Sequence, residues 1–302
     1  MLTAFALVSL YASAPTLNAL DKAASTPRSD RKTSLRISVL DKNGTVIAST
    51  PAASSASSAE LSFNHEYQPG DRIIVRGPQR VAVRLDQNFS ECLLYLPQEE
   101  LDFEVPIGRD ERQPGSAYAL DSFAGSVHRV TARLMSRTER TGYRNLALNP
   151  CDLQQPQDKS ATVFPHSSTN SFARNLYDFA ARNAIDGVAQ NGHHGVWPYQ
   201  SWGPEQGHNL WWKLDFGRLV QLDKIRLMVR ADFPHDSYWK SAVVEFSDGT
   251  ELPIQITSSA EFEEFRFAPR KVSWFRITKL VSEDPARWCA FVEVEAWGHD
   301  FP

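Results

Sequence analysis

The chain has 302 residues, enough for about two domains of ordinary size. With 42% hydrophobic and 23% charged residues it can fill a packed core, which excludes general disorder. A formal net charge of -4 and the lack of a basic run leave nothing to hold a phosphate backbone, so no nucleic-acid partner is expected.

The first segment, 1–32, reads as a leader or tether. Leu2–Leu10 is apolar, and Ala12-Ser13-Ala14 and Leu17-Asn18-Ala19 could serve as cleavage motifs. No Lys or Arg precedes Lys22, so the positive start of a signal peptide is missing. The apolar run is too short to span a membrane, and no transmembrane segment is expected. Secretion, cell-surface display and a plain disordered leader all stay open.

From Thr33 the pattern changes to period two. Leu35, Ile37 and Val39 alternate with Arg36 and Ser38, as in a half-buried strand. Lys42-Asn43-Gly44 is a hairpin turn, and Val46-Ile47 returns from it. Residues 51–58 are rich in Ala and Ser and read as a loop. Strands follow around Leu61 and Phe63, over 72–75, over 81–85, over 93–96, at Phe103 and Val105, and over 127–134. No helical period of useful length interrupts them. Residues 33–140 are therefore expected to form a small all-β sandwich of the jelly-roll type, of unknown role.

A second set of elements begins near Asn145. Ala161–His166 is expected as a strand, and Asn175–Ala184 as a short helix, because Leu176, Phe179 and Ala180 share a face. Trp212, Leu214 and Phe216 alternate, as do Ile225, Leu227 and Val229. Strands follow at 243–246 and 252–256, joined by the turn Ser247-Asp248-Gly249-Thr250, then at 265–267, 274–277 and 292–296. The expected fold class is all-β, with two β-sandwich domains in tandem and the second over 145–298. All eight tryptophans lie between 197 and 297, which marks the second half as the recognition half. About half of them are expected in its core.

Five pieces of this second half stand in a telling order. They are Asn183-Ala184-Ile185-Asp186-Gly187; Trp197 and Trp202; Trp211 to Gly217, ending Leu214-Asp215-Phe216-Gly217; Ile225 to Val229; and Phe291 to Gly298. Together they resemble the discoidin (coagulation factor 5/8 C-terminal) family, with its galactose-binding-like β-sandwich. Many bacterial carbohydrate-binding modules belong to that family. The resemblance covers roughly 145–298 and implies a domain that binds a ligand with its loops and has no catalysis of its own.

It also implies a metal site. The family gathers calcium at its Asp-Gly loop, often with a Glu of the last strand. The matching residues are Asp186 and Glu293, and calcium suits a carboxylate-and-carbonyl oxygen cage. This sequence departs from the pattern where Gln200 stands in the family's usual Thr position. The alternative is that Asp186 caps a turn and Glu293 pairs with a cation. Some discoidin domains also join their ends by a disulfide, which would pair Cys151 with Cys289. An odd count of three cysteines favours free buried thiols instead.

Two loops carry the candidate ligand-binding residues. The first holds His193, His194, Trp197, Tyr199 and Trp202. Exposed rings suit the apolar faces of sugars, while polar neighbours take the hydroxyls. Trp202 is expected in the core. The histidine pair raises the question of zinc, but neighbours in an extended strand would point apart, and no third ligand stands at a recognised spacing. The second loop, 230–239, follows an aliphatic strand and holds Arg230, Asp232, His235, Asp236 and Trp239. Arg230 offers a planar fork, and the acids accept from hydroxyls. An Arg230–Asp232 or Arg230–Asp236 pair that merely braces the loop is the competing reading.

The resulting expectation is a non-catalytic carbohydrate-binding protein whose partner is a glycan or glycoconjugate. One alternative is an adhesion module for a protein or cell surface; lipid binding would need apolar spikes, for which Phe172, Leu176 and Tyr177 are the candidates. The other is an accessory part of a carbohydrate-active enzyme. Asp232 and Asp236 could pass for paired glycosidase carboxylates, but both sit in one short loop rather than flanking a bond from separate elements.

Overall fold

Alternating side chains build the first half. The computed structural model describes residues 34–51, 57–108, 110–153 and 161–301. The expected leader at 1–32 and the centre of the Ala/Ser loop lie outside these residues. Strands β1 (Arg36–Leu40), β2 (Val46–Ser49), β4 (Arg72–Arg76) and β7 (Glu100–Glu104) form an antiparallel sheet in the order β2-β1-β4-β7. Strands β3 (Ser58–Asn64), β5 (Arg80–Arg84), β6 (Cys92–Tyr95) and β8 (Val127–Leu134) form another, in the order β3-β8-β5-β6. Every strand expected between 33 and 140 is present. Ile37, Val39, Ile73, Val75 and Phe103 from one sheet meet Val81, Val83, Leu94 and Val130 from the other in one core. Burial of both inner faces is what a sandwich requires. A single helical turn, α1 (Arg137–Thr141), starts on the Ser136/Glu139 capping box and leads out of the second sheet.

The second half is one seven-stranded sheet that curls around its own core. Its main path is β13-β12-β14-β11-β15-β9, and β10 (His166–Thr169) adds to β11. The members are β9 (Arg144–Asn145), β11 (Trp212–Val229), β12 (Trp239–Phe246), β13 (Glu251–Gln255), β14 (Glu263–Ser282) and β15 (Phe291–Asp300). The register of β11 against β14 shifts between Asp215 and Val220, so the two halves of this long strand serve different neighbours. Trp212–Asp215 pairs with β10, and Val220–Val229 pairs with β15. Trp212, Leu214 and Phe216 then share a core with Leu222, Ile225, Leu227 and Phe291. At the closing Gly298, a side chain would collide with the Gln221 carbonyl oxygen, so only glycine permits this approach of β15 to β11.

The structure departs from expectation in three places. The strand expected over 161–166 lies later, at His166–Thr169. The expected helix over 175–184 is instead a run of short 3-10 turns at Ala173–Asn175, Tyr177–Phe179 and Ala181–Ala184. Arg174 and Asn175, both at φ 54, break the helical path. The third concerns the cysteines. Cys92 and Cys151 form a disulfide, whereas Cys289 is a free buried thiol. Cys289 lies just before β15, in the other core, so it has no route to Cys151.

The two cores are tied together firmly. Cys151 belongs to the first core although it follows β9 in sequence. Arg182, buried, donates to the carbonyls of Ala117, Pro150 and Asp152 and lies over the Tyr118 ring at 4.2 Å. The Tyr118 hydroxyl donates to the Asp152 carbonyl at 3.0 Å, and Gln200 Nε2 to that of Ser116 at 3.0 Å. No helix among the described residues is long and apolar enough to cross a membrane.

Candidate functional site

The site lies where β11 leaves the sheet. After Val229 the chain enters the loop 230–238, and backbone hydrogen bonds bind this loop to two others. Arg230 N–H donates to the Ala290 carbonyl, Ser237 N–H to that of Trp288, and Ala231 N–H to that of Asn191. Loops 191–203, 230–238 and 283–290 are thereby held side by side.

Arg230 is almost fully buried and is fixed by Asp236. Its Nε donates to Oδ2 at 2.5 Å and its terminal nitrogen to Oδ1 at 3.0 Å. Such a two-point bond sets the plane of the guanidinium as well as its position. The other face of the cluster is imidazole. His194 Nδ1 is 2.8 Å from Asp232 Oδ2, and His235 Nδ1 is 3.2 Å from Asp236 Oδ1. The two rings stack with centroids 4.6 Å apart and planes 5° from parallel. The hydrogen bond from His194, aided by the charges of the surrounding histidines, holds the Asp232 carboxyl below the usual carboxylate range.

Beside this cluster opens a cavity of about 270 Å3. Arg230, His194 and His235 form its polar wall, and Phe179 and Trp288 its aromatic wall; Ala173, Arg174 and Gly203 complete it. The 3-10 turns that replaced the expected helix deliver Arg174 and Phe179 to this place.

The remaining expected residues fall as follows. His193 reaches Asp232 Oδ2 at 3.6 Å and packs its ring against Tyr199, centroids 5.4 Å apart. Trp197 and Tyr199 are half-buried and do not line the cavity. Trp239, expected to offer a stacking face, is 3% exposed and packs its ring on Trp202 and Phe291. One edge of it reaches a larger cavity of about 660 Å3, which Trp288 also lines with His208, Leu210 and Arg287. Trp202 is in the core, where its indole N–H donates to Thr169 Oγ1. Buried tryptophans number three of eight, Trp202, Trp212 and Trp239, fewer than the expected half. The apolar spikes are not spikes. Leu176 is buried, and Phe172 and Tyr177 pack partly against the cores. Arg174, Phe179 and Trp288 were not among the ligand-binding residues expected from the sequence. Trp288 carried the one usable signal, a tryptophan between the charged Arg287 and a buried cysteine.

The Asp186-Gly187 turn lies against the last strand, as the resemblance implied. Gly187 N–H donates to Glu293 Oε2 at 3.2 Å, and Asp186 Oδ1 accepts from Val188 N–H at 2.9 Å. Arg182 Nη1 is 3.6 Å from Asp186 Oδ2. Burial pushes Asp186 up to about 6 against the pull of Arg182. Burial, reinforced by the Asp186 charge, raises Glu293 well above the usual range. Two desolvated carboxylates therefore share one guanidinium that is already bonded to three carbonyls. The excess negative charge calls for a proton or a cation.

No family model and no curated protein matches the chain. Solved structures that it resembles include carbohydrate-binding modules and lectin domains. Chitosan-binding module 1 of the chitosanase/glucanase from Paenibacillus sp. IK-5 is 18% identical; the match covers 51% of this chain and 99% of that one, with a TM-score of 0.36. The family 32 carbohydrate-binding module of C. perfringens NanJ, solved in complex with galactose, is 14% identical over 43% of this chain and 91% of that one, with a TM-score of 0.34. A Streptococcus pneumoniae fucose-binding module is 19% identical over 51% of this chain and 96% of that one, with a TM-score of 0.36.

Proposed function

We propose that the chain is a non-catalytic carbohydrate-binding protein that takes a glycan residue into the 270 Å3 cavity. One observation carries this reading: a fixed guanidinium and two imidazoles face two aromatic side chains across a single small concavity. The aromatic wall suits the C–H face of a sugar ring, and the polar wall suits its hydroxyls. The volume is close to the low end of small-molecule sites, about 300 Å3, which favours one ring rather than a buried oligomer. Asp236 sets Arg230, so the polar wall is arranged before any ligand arrives.

The same wall supports the non-catalytic reading. None of the residues lining the cavity is a carboxylate. Asp236 is engaged by Arg230, and Asp232, held ionised by His194, is unsuited to the role of general acid. The two separate cores support residues 33–140 as an N-terminal sandwich of its own and 145–298 as the binding domain. The Cys92–Cys151 disulfide favours an oxidising compartment, secreted or cell-surface. Calcium at Asp186 and Glu293 would neutralise the buried charge and set the Asp-Gly turn against β15.

The test is a glycan array probed with the full chain and with Trp288→Ala. Binding by the native protein that weakens in the variant supports the site. Turnover of a bound glycan, lost on Asp232→Ala, would overturn the non-catalytic reading.

A further inference from the structure

A group of side chains beside the cavity has the makings of a metal centre. His194, Asp232, His235 and Asp236 each present one donor atom, and all four atoms lie within 4.8 Å of one another. They come from two loops. His194 belongs to the loop after Gly187, and the other three follow β11. The histidine pair raised zinc from the sequence, but the other donors stand about forty residues further on, in a different loop, at no recognised spacing. Nor is the chain extended at 193–194, so the neighbouring imidazoles do not diverge; the Nδ1 atoms of His193 and His194 both approach Asp232 Oδ2, at 3.6 and 2.8 Å.

The spacing suits a four-coordinate ion. Bonds of about 2.0 Å in a tetrahedron set neighbouring donors roughly 3.3 Å apart. Here Asp232 Oδ2 is 2.8 Å from His194 Nδ1 and 3.9 Å from His235 Nδ1. His235 Nδ1 is 3.2 Å from Asp236 Oδ1. Asp236 is the immobile corner, since Arg230 holds both of its carboxylate oxygens, leaving the second lone pair of Oδ1 for an ion. Parallel imidazoles cannot both aim a lone pair at one ion, so one ring must tilt. His235, whose side chain is 59% exposed, is free to do so.

We propose that His194, Asp232, His235 and Asp236 bind a divalent first-row transition ion of the zinc class. Two imidazoles with two carboxylates favour such an ion over calcium or magnesium, which prefer all-oxygen cages. On binding, each ring becomes the neutral tautomer with its proton on Nε2, so that the ion takes the place of the Nδ1 proton now facing the carboxylates. This assignment holds whether or not the cavity takes a sugar.

The experiment is a calorimetric titration of zinc into the chelator-stripped full chain, without any glycan. Cobalt(II) serves as a second probe, because its visible absorption intensifies in tetrahedral surroundings. The expected result is one saturable zinc site per chain, weakened by roughly tenfold or more in His235→Ala and in Asp232→Ala. Calcium should not compete. Both variants alter partly exposed side chains, and circular dichroism confirms their folding; His235→Asn is the milder substitute. Absence of saturable zinc binding overturns the proposal. So does zinc binding that persists unchanged in a His194→Ala/His235→Ala double variant, since the ion would then sit elsewhere.

Discussion

Arg230 and Asp236 hold each other by two hydrogen bonds, Nε to Oδ2 at 2.5 Å and Nη2 to Oδ1 at 3.0 Å, and both are nearly sealed from solvent. The pair braces the loop and at the same time presents the guanidinium to the cavity. Bracing of the loop and presentation of the guanidinium are thus one arrangement.

Asp236→Ala leaves a buried cation without its partner, which costs about 3–5 kcal/mol. Asp232, a quarter exposed, is different: Asp232→Ala should cost under about 1 kcal/mol. Urea unfolding of the two variants checks the contrast. Equal losses would mean that the burial difference does not govern this loop.

The Asp186–Glu293 pair makes stability depend on pH in an unusual direction. Both carboxyls are raised in the folded chain, so folded protein binds more protons than unfolded protein above the ordinary carboxylate pKa of about 4. In chelator, their contribution is therefore fully present at low pH. It is lost as pH rises from about 4 through about 6 for Asp186, and higher for Glu293. Calcium should restore it at neutral pH, by about 2.7 kcal/mol at a hundredfold excess over Kd. Denaturant melts of native protein and Glu293→Gln, with calcium and with chelator, isolate the effect from other carboxylates. A difference between the two proteins that is flat across pH would refute the pairing, and identical midpoints in calcium and chelator would refute the metal.

Breaking the Cys92–Cys151 bond should destabilise the chain substantially. The bridge closes a segment of 59 residues, for which the chain-entropy account gives about 4 kcal/mol. Thermal melts of a Cys92→Ala/Cys151→Ala double variant measure it. Cys289→Ala, which breaks no bridge, serves as the comparison, and a smaller loss for the double variant than for Cys289→Ala would count against the assignment.

Much of the fold was legible because alternation is local. The strands around Ile37, Val81, Leu214 and Leu227 each announce themselves by period two, and the one at Ile73 by an unbroken apolar run. The Asp186–Glu293 approach was legible only through resemblance, since nothing local links a turn to a strand so far along the chain. Arg182 was not legible at all. An arginine inside a short 3-10 turn reads as a solvated charge, yet here it serves three carbonyls on two separate segments. The same limit hid the aromatic wall. Phe179 reads as part of an apolar helix face, and Arg174 falls outside the helix expected over 175–184. The left-handed backbone at 174 and 175 cancels that helix and turns both residues to the cavity. Trp239 misled in the opposite sense, because a tryptophan at the end of a polar loop is also the first residue of a core strand.

Removing the aromatic wall should weaken glycan binding without unfolding the protein. Trp288→Ala should lose roughly 1–2 kcal/mol of affinity, about tenfold, because one stacking face goes while Phe179 stays. Trp197→Ala, which alters a residue outside the cavity lining, should change affinity little. Equal effects of the two would move the site to the 191–199 loop.

The most direct test is calorimetry with a glycan identified on the array, comparing native protein with Arg174→Ala, His235→Ala and Trp288→Ala. These residues lie on three different segments and meet only at the cavity. The account predicts one glycan site per native chain, weakened by each substitution in chains that remain folded. Glycan binding of unchanged affinity in all three variants, or no glycan bound by the folded native protein, would contradict it.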